Sequence, residues 1–152
     1  MIEYRKAVIS DINKLLTARL DFWRSVKNIT NEEETLLEYT RTFLLSSLAN
    51  GNFIQWLALD NNKIVGTSGL SLFFLPPNSK RLSGKVAYIG NMFTYPDYRK
   101  KGIATKLLDF TVNSAKEAGC KEIWLDSTDD GISIYEKFGF KRNENSMNYY
   151  VK

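Results

Sequence analysis

Apolar and polar residues change period several times along the chain, and each change marks an element. Over residues 2–8, Ile2 and Tyr4 alternate with Glu3 and Arg5, the period of a half-buried strand. From Ile12 the spacing stretches to three and four. Ile12, Leu15, Leu16, Leu20, Trp23 and Val26 share one helical face, and Ser10-Asp11 supplies a cap. A second helix is expected from Thr30, where Thr30 and Glu33 read as a capping box. Its buried face would be Leu36, Leu37, Thr40, Phe43, Leu44 and Leu48, and Asn50-Gly51 stops it.

The period then returns to that of strands. Residues 53–59 and 64–74 flank the turn Asp60-Asn61-Asn62-Lys63, which predicts an antiparallel hairpin. Gly66 and Gly69 within it suggest a bulge or a close backbone approach. Residues 76–84 are a polar Pro/Gly loop. An apolar strand over 86–95 leads through Pro96-Asp97-Tyr98 into Arg99-Lys100-Lys101-Gly102. A helix over 102–118 follows, with Ile103, Leu107, Leu108, Thr111 and Ala115 facing inward and Gly119 as its cap. A strand over 121–126, a turn over 128–131 and a short helix over 132–138 ended by Gly139 come next. Two closing strands over 140–142 and 147–151 are expected around an Asn-rich turn.

The order β-α-α-β-β-β-α-β-α-β-β, with hairpins early and a βαβ crossover late, indicates an α/β fold with a sheet of mixed direction. Neither a repeat nor a linker divides it, so residues 1–152 read as one domain, long enough to bury a substantial core.

Composition narrows the chemistry. Histidine is absent, which excludes His triads, His general bases and His-ligated zinc; the single Cys120 cannot build a thiolate metal site, so no metal is expected. One cysteine and no apolar leader or membrane-length run suggest a cytoplasmic protein that neither enters nor crosses a membrane. A net charge of +4 admits an anionic ligand. Nucleic acid is the weaker choice, because Arg99-Lys100-Lys101 is isolated and no RNP-type motif or basic stripe accompanies it. Asn28-Ile29-Thr30 matches a glycosylation triplet, read as chance without a secretory signal.

The strand, basic Gly-containing turn and helix over 86–105 form an arrangement that holds phosphates. Unpaired amides at the helix N-terminus face the anion, and small residues such as Gly102 and Ala104 let the backbone approach it. The turn is neither a P-loop nor a GxGxxG turn. Downstream, Ile134-Tyr135-Glu136-Lys137-Phe138-Gly139-Phe140 reads by itself as a short helix with a core aromatic and a glycine stop.

Taken in this order, the two segments resemble the signatures of the GNAT superfamily of acetyl-CoA-dependent N-acetyltransferases. Thr94-x-Pro96-x-Tyr98-Arg99-x-x-Gly102-Ile103-Ala104 is similar to the first, and Ile134 to Phe140 to the second. The resemblance covers essentially the whole chain. It implies a mixed, mostly antiparallel sheet with helices on both faces and a splayed strand pair that admits the cofactor. It also implies acetyl-CoA as co-substrate and a primary amine as acceptor, either a small molecule or a protein N-terminus. Arg99, Lys100, Lys101, Gly102, Ile103, Ala104 and Thr105 would hold the pyrophosphate, and Met92, Phe93 and Thr94 the pantetheine arm. The amide near Met92 would polarise the thioester carbonyl. Tyr135 falls on the family's tyrosine that protonates the departing thiolate.

With no histidine, carboxylates are the candidates for the base that deprotonates the amine. Asp126, in Trp124-Leu125-Asp126, sits where some members carry a glutamate; the alternative is an Asx turn with Ser127 and Thr128. Many members carry an Asn facing CoA about seven residues before the tyrosine, and here Thr128 stands there. The acceptor side offers Phe22, Trp23, Tyr39 and Leu72-Phe73-Phe74-Leu75, whose spacing also fits core packing. Glu32-Glu33-Glu34 would attract a cationic acceptor or, as the simpler reading, favour a helix N-terminus. A homodimer is left open. The competing function is a catalytically weak or inactive domain of the same fold that binds or senses acyl-CoA.

Overall fold

The computed structural model describes residues 1–26 and 31–152. The Thr30–Glu33 capping box and the Asn28-Ile29-Thr30 triplet therefore lie outside the described residues. Five strands form one sheet in the order β1-β2-β3-β4-β5. They are β1 Glu3–Lys6, β2 Phe53–Asp60, β3 Lys63–Phe74, β4 Lys85–Thr94 and β5 Ile123–Leu125. The first four are antiparallel neighbours, and β5 returns parallel to β4 after a crossover helix. The helices are α1 Ile12–Val26, α2 Glu33–Asn50, α3 Ile103–Glu117 and α4 Ile132–Phe138.

Each sheet face buries a different set of apolar side chains, as the strand period demands. Helices α1 and α2 cover one face, where Leu15, Leu16 and Leu44 meet Phe53, Leu57 and Leu59. Helices α3 and α4 cover the other. There Leu108, Val112 and Ala115 pack on Leu70, Ala87 and Ile89, while Met92, Ile134 and Tyr135 close the edge. Leu57, Leu70, Leu107 and Leu108 are completely buried, each worth about 1.5–3 kcal/mol of transfer energy. Two polar contacts fix the rotation of α3 on the sheet: Trp56 Nε1 donates to Ser114 Oγ at 3.0 Å, and Thr111 Oγ1 donates to Ser68 Oγ at 2.7 Å. The Trp56 ring also stacks on Phe110 at 4.6 Å. Gly66 lies beneath the same helix, where a Cβ would meet Ile103 and Leu107 at 3.1 Å, so the close approach expected of it is real.

The chain departs from its sequence pattern in three places. Asp11 is not an exposed cap. It is 4% exposed, ends a single 3-10 turn over Ile9–Asp11, and accepts hydrogen bonds from the Val8 amide and both Arg5 terminal nitrogens. On α2 only Leu44 is fully buried, and Phe43 is exposed although it touches Phe53 edge-on at 5.1 Å. The closing strands over 140–142 and 147–151 do not form. Met147, Tyr149, Tyr150 and Val151 are exposed in a segment without regular secondary structure. Their alternation is that of a strand, but β5 offers a ladder of only three residues to pair with. An isolated hairpin is marginal in water.

Candidate active site

The site grows from an interruption in β4. Thr67 of β3 faces Phe93, and Gly69 faces Gly90, so Ser68 of β3 alone opposes Asn91 and Met92 of β4. The extra residue makes a bulge, and Asn91 takes the left-handed conformation at φ +53° that it demands. Two side chains hold it. Thr67 Oγ1 donates to the Asn91 carbonyl at 2.7 Å, and Asn91 Nδ2 donates to Gln55 Oε1 at 3.4 Å.

On its other side β4 loses its partner at the same level. The parallel ladder with β5 has three rungs, Ala87–Ile123, Tyr88–Trp124 and Ile89–Leu125, and ends there. Residues 90–94 thus have an open edge. The Tyr95 amide bonds to the Val65 carbonyl of β3, so alternation along the strand turns the Met92 and Thr94 amides toward the gap. Met92, Phe93 and Thr94 therefore lie where an extended ligand could add as a strand. The Phe93 side chain points to the opposite face, against Phe22 and Tyr95.

The basic turn follows directly. Pro96–Tyr98 forms a 3-10 turn, and Arg99 Nε donates to the Thr94 carbonyl at 3.0 Å, closing the turn on the end of β4. Arg99 thus braces the loop. Lys100 and Gly102 are both left-handed, at φ +58° and +77°. A Cβ on Gly102 would meet no protein atom within 4 Å, so the protein requires glycine there for its backbone angle, and the space beside it stays open. The first intrahelical bond of α3 runs from the Lys106 amide to the Gly102 carbonyl at 3.0 Å. The amides of Ile103, Ala104 and Thr105 precede it and have no intrahelical partner. Ile103 is buried and anchors this end of α3, whereas Lys100, Lys101 and Thr105 are exposed. Free amides, the helix dipole and two lysines make an anion cradle one turn beyond the open edge.

Tyr135 projects from α4 into the cluster that contains Met92, and its ring lies edge-on to Phe140 at 6.0 Å. Gly131 makes room for it: a Cβ there would meet the ring at 3.1 Å. Burial pushes the Tyr135 phenol above its ordinary pKa, which keeps its proton in place at neutral pH.

Asp126 ends β5 on the sheet face opposite Ala87 and Ile89. It makes no Asx turn; Ser127 Oγ donates instead to the Thr128 carbonyl. Its Oδ2 accepts the Tyr88 hydroxyl at 2.8 Å. Burial and this carboxylate push the Tyr88 phenol up to about 12, and Tyr135 lies near enough to add to the shift. Tyr88, Asp126 and Tyr135 thus gather around the gap. Thr128 stays exposed in the loop before α4, where its carbonyl accepts the Gly131 amide.

Beside the bulge, on the face of α1 and α2, lies a cavity of about 310 Å³. Phe22, Trp23 and Tyr39, the residues offered for the acceptor side, line it. Leu72-Phe73-Phe74-Leu75 do not: Leu72 packs under α3, Phe73 meets Trp124 edge-on, and Phe74 is exposed. Glu33 is engaged by Arg24 at 2.7 Å. Sequence reasoning missed Tyr88, Asn91, Gln55 and Arg19. Gly90-Asn91 inside an apolar strand was a bulge signal, and Arg19, four residues from both Leu15 and Trp23, was a charge on an apolar helical face.

Residues 13–140 match the model of the acetyltransferase (GNAT) family. The chain is 29% identical over 85 residues to a glucosamine 6-phosphate N-acetyltransferase of Trypanosoma brucei brucei, covering 56% of each chain. It is 30% identical over 100 residues to N-alpha-acetyltransferase 30 of Schizosaccharomyces pombe, covering 64% of this chain and 63% of that one. It thus spans a little over half of the first relative and under two thirds of the second. The solved structure of a predicted acetyltransferase with acetyl-CoA from Clostridium acetobutylicum superposes with a TM-score of 0.86. The two are 32% identical, over 99% of this chain and 96% of that one. The chain belongs to the GNAT acetyltransferase family, and its five-stranded sheet with flanking helices is that family's α/β architecture.

Proposed function

We propose that the chain is an N-acetyltransferase that moves acetyl from acetyl-CoA to a primary amine by direct attack. One observation supports this reading. The β4 ladder opens at the bulge, which leaves an unpaired strand edge; the half-buried Tyr135 packs in the cluster that contains Met92, and the N-terminus of α3 follows the edge in the chain. Those are the groups that a long thioester with a pyrophosphate in its tail requires, and the Clostridium acetobutylicum relative was solved with acetyl-CoA.

Acetyl-CoA brings an activated acyl group, and the remaining work falls to the protein. The free amides of residues 103–105, with Lys100 and Lys101, hold the pyrophosphate. The open edge at residues 92–94 orients the pantetheine arm by backbone hydrogen bonds. The Met92 amide polarises the thioester carbonyl, and preorganised donors of this kind supply about 3–4 kcal/mol in acyl transfer. Asp126, held by Tyr88, takes the proton from the acceptor ammonium, so that nitrogen attacks as the free amine. Tyr135 gives its proton to the departing sulfur. The N–C bond forms, the C–S bond breaks, and the products are an acetamide and CoA thiol.

Thiol release from acetyl-CoA in the presence of a panel of primary amines tests this reading. The expected result is amine-dependent release with a matching mass increase of 42 Da on the amine (the mass of an acetyl group less one hydrogen). Tight CoA binding with no release for any amine would favour the acyl-CoA-sensing alternative.

A further inference from the structure

The cavity between α1 and α2 contains a cation that no acidic group among the described residues neutralises. Arg19 of α1 lines the space, and every other lining residue is uncharged. Among the described residues its guanidinium has no carboxylate partner. It lies over the rings of Phe22 and Trp23, at 5.2 and 4.8 Å, which fix its position without satisfying its donors. Loss of hydration lowers its pKa to about 10, and no acidic group offsets the effect. Gln55, also on the lining, is 2% exposed; its Oε1 is taken by Asn91, while its Nε2 is buried with no partner among the described residues. Thr67 and Asn91 add polar surface where the cavity reaches the bulge.

A cavity for the second cationic end of a diamine would carry a carboxylate in its lining, and this lining carries the opposite charge. Desolvating a guanidinium without a partner is costly, and a bound anion would repay that cost through charge-assisted, bidentate hydrogen bonds. A volume of about 310 Å³ suits a small molecule.

Resting on the acetyltransferase reading, we infer that the acceptor is a small primary amine bearing an oxyanion, carboxylate or phosphate, which Arg19 binds at the end remote from the amine. The acceptor then spans the cavity with its anion between α1 and α2 and its nitrogen at the Asn91 bulge. Arg19 is a specificity residue, and the machinery around Met92 and Tyr135 is separate from it.

The test uses a matched set: 6-aminohexanoate, its methyl ester, 1,6-diaminohexane and 5-aminopentylphosphonate, each measured by thiol release with wild type, Arg19→Met and Arg19→Lys. Wild type should prefer an anionic member over the ester by about tenfold to a hundredfold in kcat/KM. Carboxylate against phosphonate then identifies the group. Arg19→Met should bring kcat/KM for the anions down to that of the ester, and Arg19→Lys should keep part of the preference. An ester or diamine used as well as the anions, or a preference that survives Arg19→Met, overturns the inference and leaves acetyl transfer standing. If no amine releases thiol, the acetyltransferase reading fails, and calorimetry on the CoA-saturated protein decides the inference separately. Binding of 6-acetamidohexanoate over its methyl ester, lost in Arg19→Met, supports it; equal or absent binding of both overturns it.

Discussion

The Tyr88 hydroxyl donates to Asp126 Oδ2 at 2.8 Å, joining β4 to the end of β5 at the last level where those strands still run together. The contact orients the carboxylate that we propose as the base. Asp126→Asn should lower kcat/KM about a hundredfold or more, the usual weight of a positioned base. Tyr88→Phe keeps the carboxylate and loses only its orientation, so a fall of about tenfold is expected. Steady-state kinetics on both variants separate the roles: equal losses would make the pair a structural tie.

The same phenol gives the protein an alkaline limit. The Tyr88 pKa rises from 10.0 to about 12 on folding, and that of Tyr95, which donates to Asp21 at 2.6 Å, rises further. A group whose folded pKa is raised adds stability that is complete below its unfolded pKa and is lost as pH rises through the folded one. Thermal stability should therefore fall steeply above about pH 10. Tyr95→Phe should lower the neutral-pH Tm and flatten that alkaline loss, as read by melting curves from pH 8 to 11.

Asp11 sets the acid limit by the opposite sign. The Arg5 guanidinium, then the Val8 amide, hold its carboxyl below the ordinary carboxylate range against the cost of burial. Its contribution is complete above the unfolded pKa and is lost as pH falls through the depressed one. Arg5→Met leaves Asp11 buried and half-satisfied. Because Arg5 is partly exposed, the expected cost is about 2 kcal/mol, below the full range for a buried pair. That is a Tm loss of about 4–8 °C for a chain of this size. Asp11→Asn should remove most of the acid-limb slope.

Gly102 separates fold from ligand. Alanine there meets no protein atom, so its cost is that of a left-handed side chain, about 1–2 kcal/mol. CoA affinity should suffer more than stability, by about a hundredfold or more in calorimetry, because the open space beside Gly102 is where the proposed cradle lies. Gly69 behaves the other way. A Cβ there would lie 2.7 Å from Phe53 Cζ and 3.2 Å from Gln55 Oε1, so Gly69→Ala should unsettle the floor of the bulge and cost about 1–3 kcal/mol.

What the sequence made legible follows from how local each signal is. Helical spacing over α3 and the turn chemistry of Asp60-Asn61-Asn62-Lys63 are written within a few residues, and both elements stand where the pattern puts them. The left-handed turn at Gly102 and the packing of Tyr135 on the short helix were readable because residues within a few positions specify them. Partners set by tertiary contact were not. Asp126 gave no sign of Tyr88, 38 positions away. Arg99 gave no sign of the bond from its Nε back to the Thr94 carbonyl, which the turn places within its reach. The closing strands failed because alternation specifies a strand and says nothing about an available edge. Arg19 was hidden among the apolar residues of α1, since only the assembled cavity shows that no acid faces it.

The most direct test of the account is the turnover of Tyr135→Phe at saturating acetyl-CoA, with the best amine from the panel. The ring that fills the space beside Gly131 is retained, and only the proton donor is removed. The account predicts wild-type CoA affinity and a fall in kcat of about a hundredfold. Full turnover by Tyr135→Phe would contradict it.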